Sequence, residues 1–164
     1  MFALLLAHSA DGSTPEEKIA ALGLALPPVA APAANYVPAV RVNSLIFLAG
    51  QLPRDGAGRV ITGRLGADLD EAAGASAARQ ATLALLATLK AEIGDLSKVK
   101  RIVRVGGFVN ATPEFTRQPQ VLNGCSDLLV AVFGDRGKHA RAAIGVSSLP
   151  LGAAVEIELI VETE

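Results

Sequence analysis

Arg141 and Glu156 are residues of this 164-residue chain whose types could do chemistry on a small acid. A guanidinium carries a planar fork of N–H donors that matches a carboxylate bidentately and stays charged at any ordinary pH. A glutamate beside a bound acid can position a water or take its proton. Arg141 falls in Ala140 to Val146, read as a short strand with Arg141, Ala143 and Gly145 on one face. Those neighbours are very small, which leaves room for a ligand. Glu156 opens a second strand, in which Val155, Ile157, Leu159 and Val161 alternate with Glu156, Glu158, Ile160 and Glu162. Leu149-Pro150-Leu151-Gly152 breaks the chain between them. Two strands joined this way can pair as antiparallel neighbours, which would set Arg141 and Glu156 on one sheet face. Each also has an ordinary alternative: a surface or ion-pairing arginine, and a solvated glutamate of an alternating strand.

Other reactive side chains are sparse. Tyr36 is the only tyrosine, and Asn123 lies in a helical stretch, where an amide also serves as a surface or capping group. Cys125 is the single cysteine, with no sequence context for a nucleophile. His139 stands two residues before Arg141, on the same strand face if the strand extends that far. His8, His139 and Cys125 are too scattered to suggest a metal site. Lys98, Lys100, Arg101 and Arg104 form a modest basic run without interleaved aromatics, so a solvated strand edge is favoured over an RNA groove. No phosphate-binding glycine loop or serine-hydrolase elbow is present.

These residues must be held by a compact scaffold. Hydrophobic residues make up 51% of the chain and aromatics only 4%, so the core is built from Ala, Val, Leu and Ile. A mean hydropathy of +0.41 is high for a small monomer and points to surface buried between subunits. A net charge of −1 argues against broad capture of nucleic acid or anionic membrane. A single cysteine excludes an intrachain disulfide and suits a reducing compartment such as the cytoplasm. The apolar run Met1 to Ala7 lacks a basic flank and is short for a signal or a span.

Residues 1–13 are expected to be a flexible N-terminus and residues 14–164 a single domain. Thr14-Pro15-Glu16-Glu17 starts a short helix that Gly23 stops. Val37 to Val42 and Ser44 to Ala49 form a hairpin around Asn43, and Val60 to Leu65 reads as an edge strand. Asp68-Leu69-Asp70-Glu71 begins a long helix in capping-box style, with Ala78, Thr82, Leu85, Leu86, Leu89 and Ile93 on one face. Lys98 to Asn110 is a long strand, in which Gly106-Gly107 suggests a bulge or close approach. Gln118 to Phe133 is a second main helix, closed by Gly134. The fold class is α+β: a mixed sheet with two main helices on one face, plus the short N-terminal helix.

Two blocks resemble the RidA/YjgF family, the reactive intermediate deaminases once called L-PSP endoribonucleases. One is Arg141, Leu149-Pro150 and Val155-Glu156-Ile157-Glu158. The other is Asn35-Tyr36-Val37-Pro38-Ala39-Val40 followed by Phe47-Leu48-Ala49-Gly50-Gln51-Leu52-Pro53. The resemblance spans roughly residues 35 to 162. It implies a chorismate-mutase-like fold assembled as a homotrimer, with ligand clefts between neighbours. It implies hydrolysis of a small enamine or imine, of the 2-aminoacrylate type, to a 2-keto acid and ammonia, with no cofactor. By the same resemblance Arg141 holds the substrate carboxylate and Glu156 orients or activates water. Tyr36 and Asn123 shape the cleft, Ala143 offers a backbone carbonyl, and Gly50 gives close backbone approach. Ala49, Ser126 and Ala143 depart from the serine, tyrosine and cysteine usual at those places. A non-catalytic trimeric binder of small carboxylates, and the endoribonuclease of the older label, are the rival functions.

Overall fold

The computed structural model describes residues 12–29 and 34–164. The expected flexible N-terminus lies outside the described residues except for Gly12 and Ser13. Helix α1 (Pro15–Ala21) starts on a reciprocal cap: Thr14 accepts from the Glu17 N–H, and the Glu17 carboxylate accepts from the Thr14 N–H. The hairpin is strands β1 (Ala39–Val42) and β2 (Leu45–Gln51), turning at Asn43 with a φ of 56°. Helix α2 (Glu71–Ile93) follows, then β3 (Val99–Asn110), α3 (Gln118–Phe133), β4 (Ala140–Val146) and β5 (Val155–Thr163).

The five strands form one sheet in the order β1-β2-β5-β3-β4. All neighbours are antiparallel except β3 and β4, which run parallel. Helix α3 leaves the end of β3 and returns the chain to the start of β4, as a parallel pair requires a crossover. Strand β5 buries every second residue, Val155 through Thr163, and takes the central place between β2 and β3. The expectation that β4 and β5 pair is therefore overturned: β3 lies between them.

Both main helices cover one sheet face. Leu85, Leu86 and Leu89 of α2 and Leu122 and Leu129 of α3 are fully buried against Ile46, Ile102, Val105, Ile157 and Leu159 of the strands. With so few aromatics, close helix approach supplies the packing. A side chain at Gly124 would overlap the Ala75 carbonyl of α2, and one at Gly107 would overlap Leu122. The expected close approach at Gly106-Gly107 is thus present, while the irregular register falls earlier, between Val99 and Arg101 and between Ile102 and Arg104.

Two local expectations are corrected. Val60 to Leu65 makes only isolated bridges, to Arg54, Ala153, Leu69 and Ala111, and no strand. Asp70 caps α2 by accepting from the Ala73 N–H, but alanine there has no side chain to return the bond, so the box is half made. Among the described residues, the opposite sheet face carries no helix. It exposes Val40, Val42, Phe47 and Ile144 beside Glu156, Glu158 and Arg104.

Candidate functional site

Cross-strand register decides which way each candidate points. Arg141 is level with Val105, Ala143 with Gly107 and Gly145 with Val109. Val105 and Val109 are fully buried beneath the helices, and Gly107 meets Leu122 of α3, so Arg141, Ala143 and Gly145 point to the helix-covered face. Because β4 is an edge strand, Arg141 stays exposed there at the margin of α3.

The guanidinium is held by neutral groups. Its Nη1 donates to Asn123 Oδ1 at 3.0 Å and to Ser126 Oγ at 3.0 Å. Asn123 and Ser126, three residues apart on α3, share the helix side that meets β4. Ser126 Oγ lies 3.0 Å from His139 Nε2, and His139 Nδ1 lies 2.6 Å from the Gly137 carbonyl. The carbonyl can only accept, so Nδ1 carries the proton and Nε2 is left to accept from the Ser126 hydroxyl. Burial depresses the histidine pKa below its usual value, the Arg141 charge adds to this, and the Gly137 bond opposes it. Neutral His139 is the form the fold favours. Among the described residues, no carboxylate pairs with Arg141.

Glu156 stands elsewhere. It is level with Phe108 of β3, which is level with Ile144 of β4, and these residues belong to the uncovered face. Within one chain, Arg141 and Glu156 therefore lie on opposite faces of the sheet with β3 between their strands. The shared face expected from the connector does not exist, because that expectation assumed adjacent strands. Gly50 packs on Glu156 so closely that a side chain there would overlap the carboxylate. Burial, and then the neighbouring Glu158 charge, push the Glu156 carboxyl above its usual pKa. Glu158 is paired with Arg104 at 3.1 Å.

Tyr36 is exposed just before β1, at the opposite edge of the sheet from Arg141. Four strand spacings separate β1 from β4, about 19 Å. The structure thus brings Arg141, Asn123 and Ala143 to one edge and Gly50 and Glu156 to the open face, and leaves Tyr36 at the far edge. Ser126 and His139 join the first group without having been singled out as site residues. Their signals were present: Ser126 is three residues after Asn123 on one helix, and His139 is two before Arg141.

Residues 16–163 match the family described as "YjgF/chorismate_mutase-like, putative endoribonuclease". The chain belongs to that family. It is 48% identical over 142 residues to protein TCP17 of Trypanosoma cruzi, covering 86% of this chain and 89% of that protein. A structure called a putative endoribonuclease, from Shewanella oneidensis MR-1, superposes with a TM-score of 0.88 at 38% identity, over 92% of this chain and 99% of that one. RidA from an Antarctic Psychrobacter is more distant, with a TM-score of 0.57 at 27% identity over 82% and 93% of the two chains. The YjgF/RidA family and its chorismate-mutase-like α+β fold, expected from the two sequence blocks, are both borne out. Among the described residues, no helix is long and apolar enough to cross a membrane, and no cluster of three His, Cys, Asp or Glu side chains could hold a metal.

Proposed function

We propose that this YjgF/RidA protein hydrolyses small carboxylate-bearing enamines or imines, of the 2-aminoacrylate type, to 2-keto acids and ammonia. The observation that carries the reading is the Arg141 guanidinium, exposed at a sheet edge, pre-oriented by Asn123 and Ser126, and without a carboxylate partner among the described residues. A cation so placed offers its unused N–H groups to the carboxylate of a substrate. The bound imine carbon needs only a positioned water and neutralised charge, because the bond is intrinsically hydrolysable. No cofactor enters this scheme.

The same reading makes the active assembly a homotrimer. Val40, Val42 and Phe47 expose apolar surface on β1 and β2 of the helix-free face, and Ile144 exposes more on β4 across the charged centre, surface which neighbouring copies would cover. If Tyr36 and Arg141 line one cleft, different copies must supply them, since one chain holds them at opposite edges. Glu156, half-buried and raised in pKa, suits a water-directed role only beside another copy's bound substrate. The lone buried thiol, Cys125, fits a reducing cytoplasmic location.

The test follows the decay of an imine released by a pyridoxal-phosphate enzyme, with and without this protein. Acceleration by the wild type, reduced at least about 100-fold in Arg141→Ala, is expected for the loss of a charged anchor. Unchanged decay, or equal acceleration by the variant, removes the assignment. Thermal stabilisation by small keto acids without turnover would instead identify a carboxylate binder.

A further inference from the structure

We propose that Ser126 and His139 form a nucleophile–base pair that gives this protein a second activity, hydrolysis of small short-chain carboxylic esters through an acyl-serine intermediate. A serine in a helix can face solvent or return its hydroxyl to the carbonyl four residues back. The Ser126 hydroxyl instead turns out of α3 to His139 Nε2 at 3.0 Å. The imidazole is oriented in turn by its Nδ1–H bond to the Gly137 carbonyl at 2.6 Å. A nucleophile, a base within hydrogen-bond reach and a third group that fixes the base are the parts of an activated serine. The third group here is a backbone carbonyl rather than a carboxylate.

The surroundings suit the developing charge. Arg141 Nη1 donates to Ser126 Oγ and so stabilises the oxygen as its proton leaves. Asn123 accepts from Arg141 through Oδ1, and its NH2 group makes no hydrogen bond among the described residues. That amide and the remaining guanidinium N–H groups stand beside Ser126 as donors for an oxyanion. Ala143, on the same strand face as Arg141, presents only a methyl group, which favours a short acyl chain.

In the first step a Ser126 Oγ–acyl carbon bond forms while the hydroxyl proton passes to His139 Nε2. The bond from acyl carbon to leaving oxygen then breaks, and the alcohol departs with the proton from His139. Water next attacks the acyl carbon and gives a proton to His139, which returns it to Ser126 Oγ as the acyl–serine bond breaks. The balance is ester plus water to acid plus alcohol. Cys125, one residue away on α3, does not compete: it is fully buried, and burial pushes its thiol up to about 11.

The experiment treats the intact protein with an alkyl fluorophosphonate and maps the adduct by mass spectrometry, alongside p-nitrophenyl acetate hydrolysis. A single adduct on Ser126 is expected, absent in Ser126→Ala. Labelling should slow at least about 100-fold in His139→Gln, the contribution of a positioned general base. His139→Ala should regain rate with added imidazole, which a merely structural histidine would not allow. No adduct on Ser126 in the wild type, or wild-type labelling rates in His139→Gln, overturns the proposal. Neither readout involves an imine, so this outcome is independent of the deaminase test.

Discussion

The open face of the sheet and its β4 edge treat charge in opposite ways. On the uncovered face Arg104 is paired with Glu158 at 3.1 Å, and Glu156 is left half-buried with a second carboxylate nearby. At the β4 edge, beside α3, the cation Arg141 is met, among the described residues, by an amide and a hydroxyl. Ion pairs that close on themselves need nothing further. A guanidinium aimed by neutral acceptors keeps its charge available, and its orientation is established before a ligand arrives. Under the proposed function, the edge would bind the substrate anion and the open face would meet a neighbouring subunit.

The largest effects should come from treating the two faces alike. Leu122→Ala, beneath Gly107 on the covered side, is expected to cost about 2–5 kcal/mol in urea unfolding, the usual range for a fully buried leucine. Phe47→Ser with Ile144→Ser on the open face should leave the circular dichroism of the subunit intact while lowering the assembled mass in light scattering. If the open-face pair abolishes folding at all concentrations, the distinction between the faces fails. Next in size is ligand stabilisation. A keto acid at 100 times its Kd should stabilise the wild type by about 2.7 kcal/mol and Arg141→Ala by none.

Smaller effects sharpen the electrostatic side of the comparison. His139 favours its neutral form when folded, so the unfolded chain takes up the proton first as pH falls. Stability present above about pH 6.5 should be lost on acidification towards the lower folded value, and His139→Gln should flatten that slope in melting curves. Glu156 has the opposite sign. Its folded carboxyl keeps the proton to higher pH than the unfolded one, so stability declines as pH rises through the folded pKa. Glu156→Gln should melt slightly above the wild type at neutral pH, with the difference gone below about pH 4.

The elements were legible in the sequence because each has a local cause. Alternation marked β5 from Val155 to Glu162, and a glycine closed α3 at Gly134. Adjacency was not legible. The connector from Val146 to Val155 looks like a link between neighbours, yet it carries the chain past β3 because α3 has already committed β4 to the parallel side. Half the candidate site suffered from the same gap. Arg141 and Asn123 were readable from motif and spacing, and the structure hydrogen-bonds them. The Ser126–His139 contact bridges 13 residues from a helix to the residue before a strand, a juxtaposition created only by how α3 lies on β4.

The most direct measurement is a crystal structure of the assembled protein soaked with a small 2-keto acid. The acid's carboxylate is expected within hydrogen-bond distance of Arg141, in a groove that a second copy of the chain completes with its Tyr36. A keto acid bound elsewhere while Arg141 keeps only Asn123 and Ser126, or an Arg141 sealed by a neighbour's carboxylate, would contradict it.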